Sequence, residues 1–514
     1  MLKRVLCFTM VLVLLISMSL TGCEKKEDVN TEQNDVAQDN ASTTQEETNT
    51  EETTTYDEPL PFHFVSRGTP VTELSATQIA FRDRMKELYN VDMEYQVIGN
   101  SAYEEKVNVM FASGDVPDMI FMRDLAKIGQ AIDAGVFVPV TDIVENDPNW
   151  SQIDKQLLAA GYYNGDYYTL IEKKNFPDAM IYREDWAEKL NIKEPTNPDE
   201  VLDMLIAFAK NDPDENGKDD TYGISLAGDY GSQSPVWKMF VPAGPQDCAI
   251  YWDQDDDTIK SALYLKKDMK TALSWFRKAY AEGGLDPEYI LDKASDAENK
   301  FVTGKTGMWI KAPLWLENRI KKMEPVFPDL NLNTIAPIET KYGTNHDSTD
   351  SSASGYYLTK NCSDIERGKK VLAYWSGPEG IWLRSVGVEG EQYVYEDNGN
   401  FKFIDEEKEQ GFNAGTLLAS VHDLVPPVLN PMVEKNFNKA NDFAIRKGIN
   451  VVMSKSDEFQ QVGVDIEKYA LEVITKIIMG EKPVDAYDEV IEEIDRLGAD
   501  KMLEEMNQIF SEMN

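Results

Sequence analysis

The chain has 514 residues, of which 42% are hydrophobic and 28% are charged, so it is long enough for several domains with large cores. It carries 51 Lys and Arg residues against 91 Asp and Glu residues, a net charge of −40. The electrostatic field of such a charge repels nucleic acids and anionic membrane surfaces. This excludes proteins that bind the phosphate backbone of nucleic acids or the surface of anionic membranes. Histidine occurs only at positions 63, 346 and 422. With so few histidines, a histidine-based metal site or catalytic triad is not favoured.

The N-terminal segment has the features of an export signal. Lys3-Arg4 precedes an apolar run over residues 5–20, which is short for a bilayer crossing of about 20 residues. Leu20-Thr21-Gly22-Cys23 resembles the bacterial lipobox, in which the signal is cleaved before the cysteine and that cysteine is lipidated. The alternative is an ordinary secretory signal with an accidental Cys23. We expect residues 1–22 to be removed and Cys23 to anchor the protein to the outer face of the cell membrane of a single-membrane bacterium.

An acidic segment follows the signal. Residues 24–58 hold twelve acids and two lysines and almost no large apolar side chain. Such a segment cannot bury enough apolar surface to fold. We predict that residues 23–60 are the lipidated cysteine and a disordered tether, and that the folded part begins near Leu60.

Strands and helices alternate from there on. We predict a strand over Pro61–Ser66, a helix over Leu74–Tyr89, and strands over Val91–Ile98 and Met119–Met122. This order is typical of an α/β protein with a mostly parallel sheet covered by helices.

A second α/β unit begins near Asp178 with a predicted strand over Ala179–Tyr182. Asn197 followed by Pro198 marks the N-terminus of a helix. Further helices are predicted over residues 269–282, 364–375 and 466–479, and two helices close the chain, the first ending at Gly498.

Several short motifs occur in an order that resembles a known family. They are Ala112–Asp118, Gly135–Val140, Asn164–Tyr168, Tyr182–Trp186, Glu282–Pro287, Thr303–Met308 and Gly387–Tyr393. Behind a lipobox, they are similar to the lipid-anchored extracellular solute-binding proteins of ABC importers. The resemblance is to the sugar-binding cluster, especially its large oligosaccharide-binding members with an EF-hand-like calcium loop.

The resemblance implies an α/β, two-lobed, periplasmic-binding-protein-like fold of type 2, in which each lobe is a mostly parallel sheet flanked by helices, with extra C-terminal helices. The expected N-lobe comprises residues 61–171 and 337–415, and the C-lobe residues 172–336 and 416–514. Two crossings, Tyr167–Phe176 and Thr334–Thr340, are expected to serve as hinges.

The family's calcium loop corresponds to Asp212–Asp220. Asp212, Asp214, Asn216, the Lys218 carbonyl and Asp220 would form an oxygen cage for a structural calcium ion. The sequence departs from the pattern, because Thr221 stands where the family usually has an acid and Gly223 stands at the twelfth position. An acidic turn without metal is the alternative.

Sugar binding needs flat apolar rings and a few placed polar groups. The aromatic candidates are Tyr230, Trp237, Tyr251, Trp315 and Trp382. The polar candidates, which follow predicted strands, are Ser66, Arg67, Arg123 and Asp124. Core packing for each tryptophan, and a solvated loop charge for Arg67 or Asp124, are the alternatives.

The predicted function is that of a binding protein without catalytic residues. It captures a carbohydrate, expected to be an oligosaccharide, in the cleft between the lobes and delivers it to the permease subunits of an ABC importer. We expect a monomer that binds no nucleic acid and touches the membrane only through its lipid. A peptide receptor of the same scaffold is the alternative, and an exported glycoside hydrolase or an adhesin is less favoured.

Two further points stay open at this level. The acidity of the chain argues for a neutral glycan and against polyuronates, although Arg67, Arg123, Lys173 and Lys174 could offset it locally. Cys248 and Cys362 could form one disulfide or remain two buried thiols.

Overall fold

The computed structural model describes residues 56–68, 73–100, 102–228, 233–349, 353–441, 444–446 and 449–513. These segments belong to one compact unit, Thr54–Asn514. The predicted signal, Cys23, most of the predicted tether and Tyr230 lie outside the described residues.

The strands of the described residues are β1 Leu60–Gly68, β2 Val91–Gly99, β3 Met119–Met122, β4 Tyr162–Tyr163, β5 Asp166–Tyr167, β6 Ala179–Arg183, β7 Tyr222–Ile224, β8 Ile250–Asp253, β9 Thr258–Ser261, β10 Thr306–Lys311, β11 Leu332–Thr334, β12 Glu339–Thr340, β13 Gly343–Thr344, β14 Asp347–Thr349, β15 Gly355–Leu358, β16 Tyr393–Tyr395, β17 Phe401–Phe403 and β18 Ala444–Arg446.

The α-helices are α1 Ala76–Tyr89, α2 Tyr103–Ser113, α3 Leu125–Asp133, α4 Thr141–Asn146, α5 Lys155–Leu158, α6 Glu184–Lys189, α7 Pro198–Lys210, α8 Ser234–Trp237, α9 Lys266–Ala281, α10 Ala294–Val302, α11 Glu317–Met323, α12 Ile365–Ser376, α13 Pro378–Ser385, α14 Glu406–Gly411, α15 Gly415–Leu418, α16 Pro431–Ala440, α17 Asn450–Lys455, α18 Asp457–Ile478, α19 Asp488–Leu497 and α20 Ala499–Met513.

The first sheet has the strand order β15-β3-β1-β2. Strand β1 pairs in parallel with both β2 and β3, and β15 joins β3 antiparallel as an edge strand. Phe62, Phe64 and Val65 on β1 are buried, since helices cover the sheet. This is the mostly parallel sheet that the alternation of strands and helices predicts.

The second sheet has the strand order β11-β6-β10-β7 and is mixed. Only β10 and β7 pair in parallel, whereas β6 runs antiparallel to both β10 and β11. The expectation of a mostly parallel sheet in each lobe therefore does not hold for this one. Strand β6 lies between β11 and β10 and runs opposite to both, so two of the three pairings are antiparallel although β7, β10 and β11 share one direction.

Local signals explain where several helices begin and end. Helix α1 starts with a capping box, in which Ser75 Oγ accepts from the Gln78 N–H and the Ser75 N–H donates to Gln78 Oε1. Asn197 caps α7 by accepting from the Glu200 N–H at 3.1 Å, with Pro198 in the first turn. Helix α19 ends at Gly498, which has a φ of 105°. Glycine adopts this left-handed conformation without steric strain because it has no Cβ.

Each sheet has its own hydrophobic core. One core joins β1, α1 and α12, and contains Phe64, Phe81 and Trp375. Another gathers the second sheet, α7, α9 and the terminal helices α18, α19 and α20. The C-terminal helices therefore extend the core of the second sheet. Over the part of the chain that is described, no helix combines the length and apolarity that a bilayer crossing requires.

Cys248 and Cys362 are both free and buried, and they belong to different cores. Burial raises the pKa of the Cys248 thiol to about 12 and that of the Cys362 thiol to about 11. Of the two alternatives that the sequence leaves open, the structure has the unpaired thiols, which are inert because so little thiolate is present.

Candidate ligand-binding site

The carboxyl ends of β1, β2 and β3 lie at one edge of the first sheet because these strands run parallel. Ser66 and Arg67 end β1 at this edge, as the sequence predicts. The edge strand β15 begins there, and its Tyr356 hydroxyl lies 2.9 Å from Ser66 Oγ. Open α/β sheets bind their ligands at such strand ends.

Arg67 brings a positive charge to this edge. Its Nε atom is buried and has no hydrogen-bond partner among the described residues. Tyr103 is close enough to the Arg67 guanidinium to interact with its charge. The Tyr103 hydroxyl donates a hydrogen bond to the Phe121 carbonyl at 2.5 Å. Burial raises the pKa of Tyr103, and Arg67 acts in the opposite direction.

Arg123 and Asp124 follow β3 at the same edge, but their charges are engaged. Arg123 Nε donates to Glu104 Oε1 at 3.3 Å. Asp124 caps α3 by accepting from the Lys127 N–H at 3.2 Å, and Lys127 Nζ lies 3.3 Å from both Glu104 and Asp124. Two cations and two carboxylates thus neutralise one another here.

The crossing after β5 carries two charged residues beside this edge. Glu172 accepts from Arg384 Nη2 at 3.0 Å and from Ser376 Oγ at 3.2 Å, and the Arg384 guanidinium stacks on the Trp375 ring at 4.2 Å. Lys173 is accessible to solvent, yet desolvation by the surrounding protein lowers its pKa.

On the second sheet, β7 and β10 are parallel, and a cavity of about 230 Å³ lies where they end. Ser225, Lys311 and Glu298 are among the residues that line it. Asp178, just before β6, accepts from the Ala312 N–H at 2.8 Å and lies 3.9 Å from Lys311 Nζ. Burial raises the pKa of Asp178. Trp315, three residues beyond Ala312, is 45% exposed.

The family description "Bacterial extracellular solute-binding protein" matches residues 68–382, more than half of the chain. The chain belongs to this family. Among curated relatives, the lipoprotein LipO of Bacillus subtilis strain 168 is 23% identical over 439 residues, which cover 80% of this chain and 85% of LipO. The polygalacturonan/rhamnogalacturonan-binding protein YtcQ of the same strain is 22% identical over 231 residues, 44% of this chain and 45% of YtcQ.

Solved structures agree with the fold. The alginate-binding protein AlgQ2, solved without calcium ion, superposes with a TM-score of 0.63 at 19% identity, over 89% of this chain and 99% of AlgQ2. The two-lobed α/β fold of solute-binding proteins, which the sequence predicts, is thereby confirmed.

Three aromatic candidates lie away from the two strand-end edges. Trp237 is fully buried in the second core, with its ring centroid 4.3 Å from that of Phe276. Tyr251 belongs to the β8–β9 hairpin and packs against the same core. Trp382 on α13 donates its indole N–H to the Tyr393 hydroxyl and lines a different groove, between α1 and α13. In this structure, therefore, only Trp315 among the described aromatic candidates stands beside a strand-end edge.

The sequence predictions did not include Tyr356 or Arg384 as site residues. Tyr356 can be recognised as a neighbour of Ser66 only when the pairing of β15 with β3 is known. The Gly355–Leu358 segment by itself has the sequence of an ordinary buried strand. Arg384 lies on α13, far along the chain from Glu172, and no motif marks it. Both depend on contacts between distant segments.

The predicted calcium loop folds around the Asn216 side chain. Its amide nitrogen donates to Asp214 at 2.8 Å and to Asp220 at 3.0 Å, while Asp212 accepts from the Asn216 and Gly217 N–H groups. Lys305 Nζ pairs with Asp220 at 2.8 Å.

The potential ligands in this loop are oxygen atoms, the kind of ligand that a hard cation such as calcium prefers. Asp214 Oδ1 is buried without a hydrogen-bond partner among the described residues, and burial together with Asp212 raises the Asp214 pKa. A cation would satisfy that oxygen and relieve the repulsion. The arrangement is not a ready cage, since the Asn216 amide and Lys305 take two of the carboxylates, and no cluster of three metal-ligating acids, histidines or cysteines occurs over the described ranges.

Proposed function

We propose that this protein binds an oligosaccharide between its two lobes and presents it to the permease of an ABC importer. The observation that carries the proposal is the match to the solute-binding family over residues 68–382. We place part of the ligand site at the strand-end edge with Arg67 and at the partly exposed Trp315, since sugar binding needs polar groups for the hydroxyls and an accessible ring for the C–H faces of pyranose rings. The names of YtcQ and AlgQ2, both polysaccharide binders, support the same class of ligand.

Closure of the lobes would report that a ligand is bound. We propose that the N-lobe comprises residues 61–171 and 337–415 and the C-lobe residues 172–336 and 416–514, with hinges at Tyr167–Phe176 and Thr334–Thr340. A ligand that contacts Ser66 and Arg67 on one lobe and Trp315 on the other adds contacts to both only in the closed state. That difference in affinity is what shifts the population toward closure.

A calorimetric screen of the purified protein against neutral and acidic oligosaccharides and against peptides tests this function. We expect binding to at least one saccharide class and compaction in small-angle scattering on saturation. Binding to peptides but to no saccharide would overturn the sugar assignment. Release of reducing ends from a bound saccharide would show a hydrolase instead.

We also propose that Cys23 carries the lipid anchor, as the name of the relative LipO suggests for that protein. Cys23→Ala is expected to move the protein from the membrane fraction to the culture medium, because the lipid chains attached to that cysteine would be lost. Immunoblots of the two fractions measure this, with Cys248→Ala as the control that keeps the anchor. A Cys23→Ala protein that stays in the membrane and is processed normally would contradict the lipobox.

The loop over Asp212–Asp220 is proposed to bind calcium in a structural role. Calcium at about 100 times its Kd should then stabilise the chelator-stripped protein by about 2.7 kcal/mol. Asp214→Asn should abolish the effect, whereas Asp83→Asn, on the exposed face of α1, should leave it unchanged. Differential scanning calorimetry with and without calcium measures both. The loop would be a metal-free turn if calcium changed neither the heat nor the melting temperature.

A further inference from the structure

The charges at the edge of the first sheet do not cancel. In a chain with a net charge of −40, most cations at this edge have a carboxylate partner. Arg123 and Lys127 share Glu104 and Asp124, and Arg384 is paired with Glu172. These groups form neutral sets that leave no charge for a ligand to compensate.

Arg67 and Lys173 differ from these residues. Among the described residues, no carboxylate forms an ion pair with either side chain. Glu172 precedes Lys173, but its two oxygens already accept from Arg384 and Ser376. The neighbouring Lys174 provides a comparison within the same segment, because it is paired with Asp423.

Both cations lie next to residues of one group of aromatic and hydroxyl side chains. Arg67 follows Ser66, whose Oγ lies 2.9 Å from the Tyr356 hydroxyl. Lys173 follows Glu172, whose partner Arg384 stacks on Trp375, and the Trp375 ring centroid lies 5.0 Å from that of Tyr356. Among the described residues, this part of the first lobe therefore carries two positive charges without an ion-pair partner.

Desolvation makes such charges costly unless a ligand pairs with them. Arg67 Nε is buried without a hydrogen-bond partner among the described residues, and the exposed Lys173 ammonium has no carboxylate partner among them. A cation in this situation gains more from an anion than an exposed cation does, because the surrounding protein screens the attraction less than water.

We propose that the ligand is an acidic oligosaccharide whose uronic acid carboxylates are bound by Arg67 and Lys173. The inference rests on the proposed carbohydrate-binding function and specifies its ligand class. A planar carboxylate fits the fork of the Arg67 guanidinium, and Lys173 acts as a point charge on a second carboxylate or on the same one. The overall acidity of the chain does not oppose this, because the distant surface charges are screened over about 8–10 Å at physiological salt.

The net charge of the chain favours a neutral glycan. The unpaired cations at the edge of the first sheet lead us to propose an acidic one instead. Of the four cations that could offset the acidity, Arg123 and Lys174 are neutralised by carboxylates of the protein itself. Only Arg67 and Lys173 remain available to a ligand.

Isothermal titration calorimetry on the purified full chain tests the proposal. The probes are trisaccharides of galacturonate, mannuronate and guluronate, each compared with its methyl ester, which keeps the sugar ring and removes the charge. We expect at least one uronate to bind tenfold or more tightly than its ester, and this affinity to fall as salt rises.

The variants separate recognition of charge from general effects on the site. Lys173→Met should weaken uronate binding at least tenfold and change binding of the ester less than twofold, whereas Lys173→Arg should restore most of the uronate affinity. Lys174→Met, one residue along, should bind the uronate as the unchanged protein does.

The outcomes distinguish this inference from the proposed function. Equal or tighter binding of the ester, or an equal loss for both probes in Lys173→Met, would overturn the uronate inference alone. Binding of a neutral oligosaccharide with no uronate bound would do the same. Binding of acidic peptides with no saccharide bound would overturn both the inference and the proposed function.

Discussion

Trp237→Ala is expected to lower the free energy of unfolding by about 3–5 kcal/mol, the range for removing a large aromatic side chain from a core. Trp237 is fully buried, packs on Phe276, and donates its indole N–H to Gln233 Oε1 at 3.1 Å. Truncation would leave a cavity and an unpaired buried amide oxygen, so both packing and hydrogen bonding are lost.

Trp315→Ala is the matched control, because it removes the same side chain from a position that is 45% exposed. It should cost less than about 1 kcal/mol of stability, as most substitutions at accessible positions do. Its effect should instead appear in ligand affinity. Urea unfolding followed by far-UV circular dichroism measures both variants. A Trp237→Ala protein as stable as Trp315→Ala would mean that Trp237 does not pack as the structure has it.

Asp185→Asn is expected to cost about 3–5 kcal/mol, since it breaks a buried ion pair and leaves one charge uncompensated. The Arg183 guanidinium donates to both Asp185 oxygens, at 2.8 and 2.5 Å, and is sandwiched between Trp186 and Phe327 at 4.7 and 4.6 Å. Both side chains are at least nine-tenths buried. Asp185 also lies in the first turn of α6, where a negative charge is favourable.

The exposed pair of Arg496 and Glu493 is the control for this second prediction. Glu493→Gln should change the free energy of unfolding much less than Asp185→Asn does, because water screens that pair. The double change Arg183→Met with Asp185→Leu should recover most of the stability, because apolar residues of similar volume often replace a buried ion pair without loss. Thermal unfolding of the three variants decides this, and an Asp185→Asn protein as stable as Glu493→Gln would contradict the buried pairing.

Helix α18, the first of the three C-terminal helices, shows what hydrophobic periodicity fails to predict. The sequence predicts a helix over residues 466–479, whereas α18 begins nine residues earlier, at Asp457. Gly463 and the polar residues around it weaken the helical pattern. In the folded protein Gly463 is buried, and its carbonyl accepts from Cys248 Sγ at 3.2 Å, a contact with a distant segment that the local pattern does not contain.

What the sequence by itself determined is local. Strand ends, the caps at Ser75 and Asn197, and the stop at Gly498 follow from a few neighbouring residues, and for the same reason the local pattern is sufficient to place Ser66 and Arg67 at a strand end. The order of these elements was sufficient to predict an α/β fold, because alternating strands and helices can bury their apolar faces in only a few arrangements.

The tertiary structure decided which of these residues are available to a ligand. Trp237 and Trp315 are the same residue type beside similar loops, yet one is fully buried and the other is 45% exposed. Arg123 is neutralised by Glu104 and Arg384 by Glu172, whereas neither Arg67 nor Lys173 has a carboxylate partner among the described residues. Charge compensation depends on residues that lie far apart in the chain, such as Glu172 and Arg384, which are 212 positions apart and which only the folded chain brings into contact.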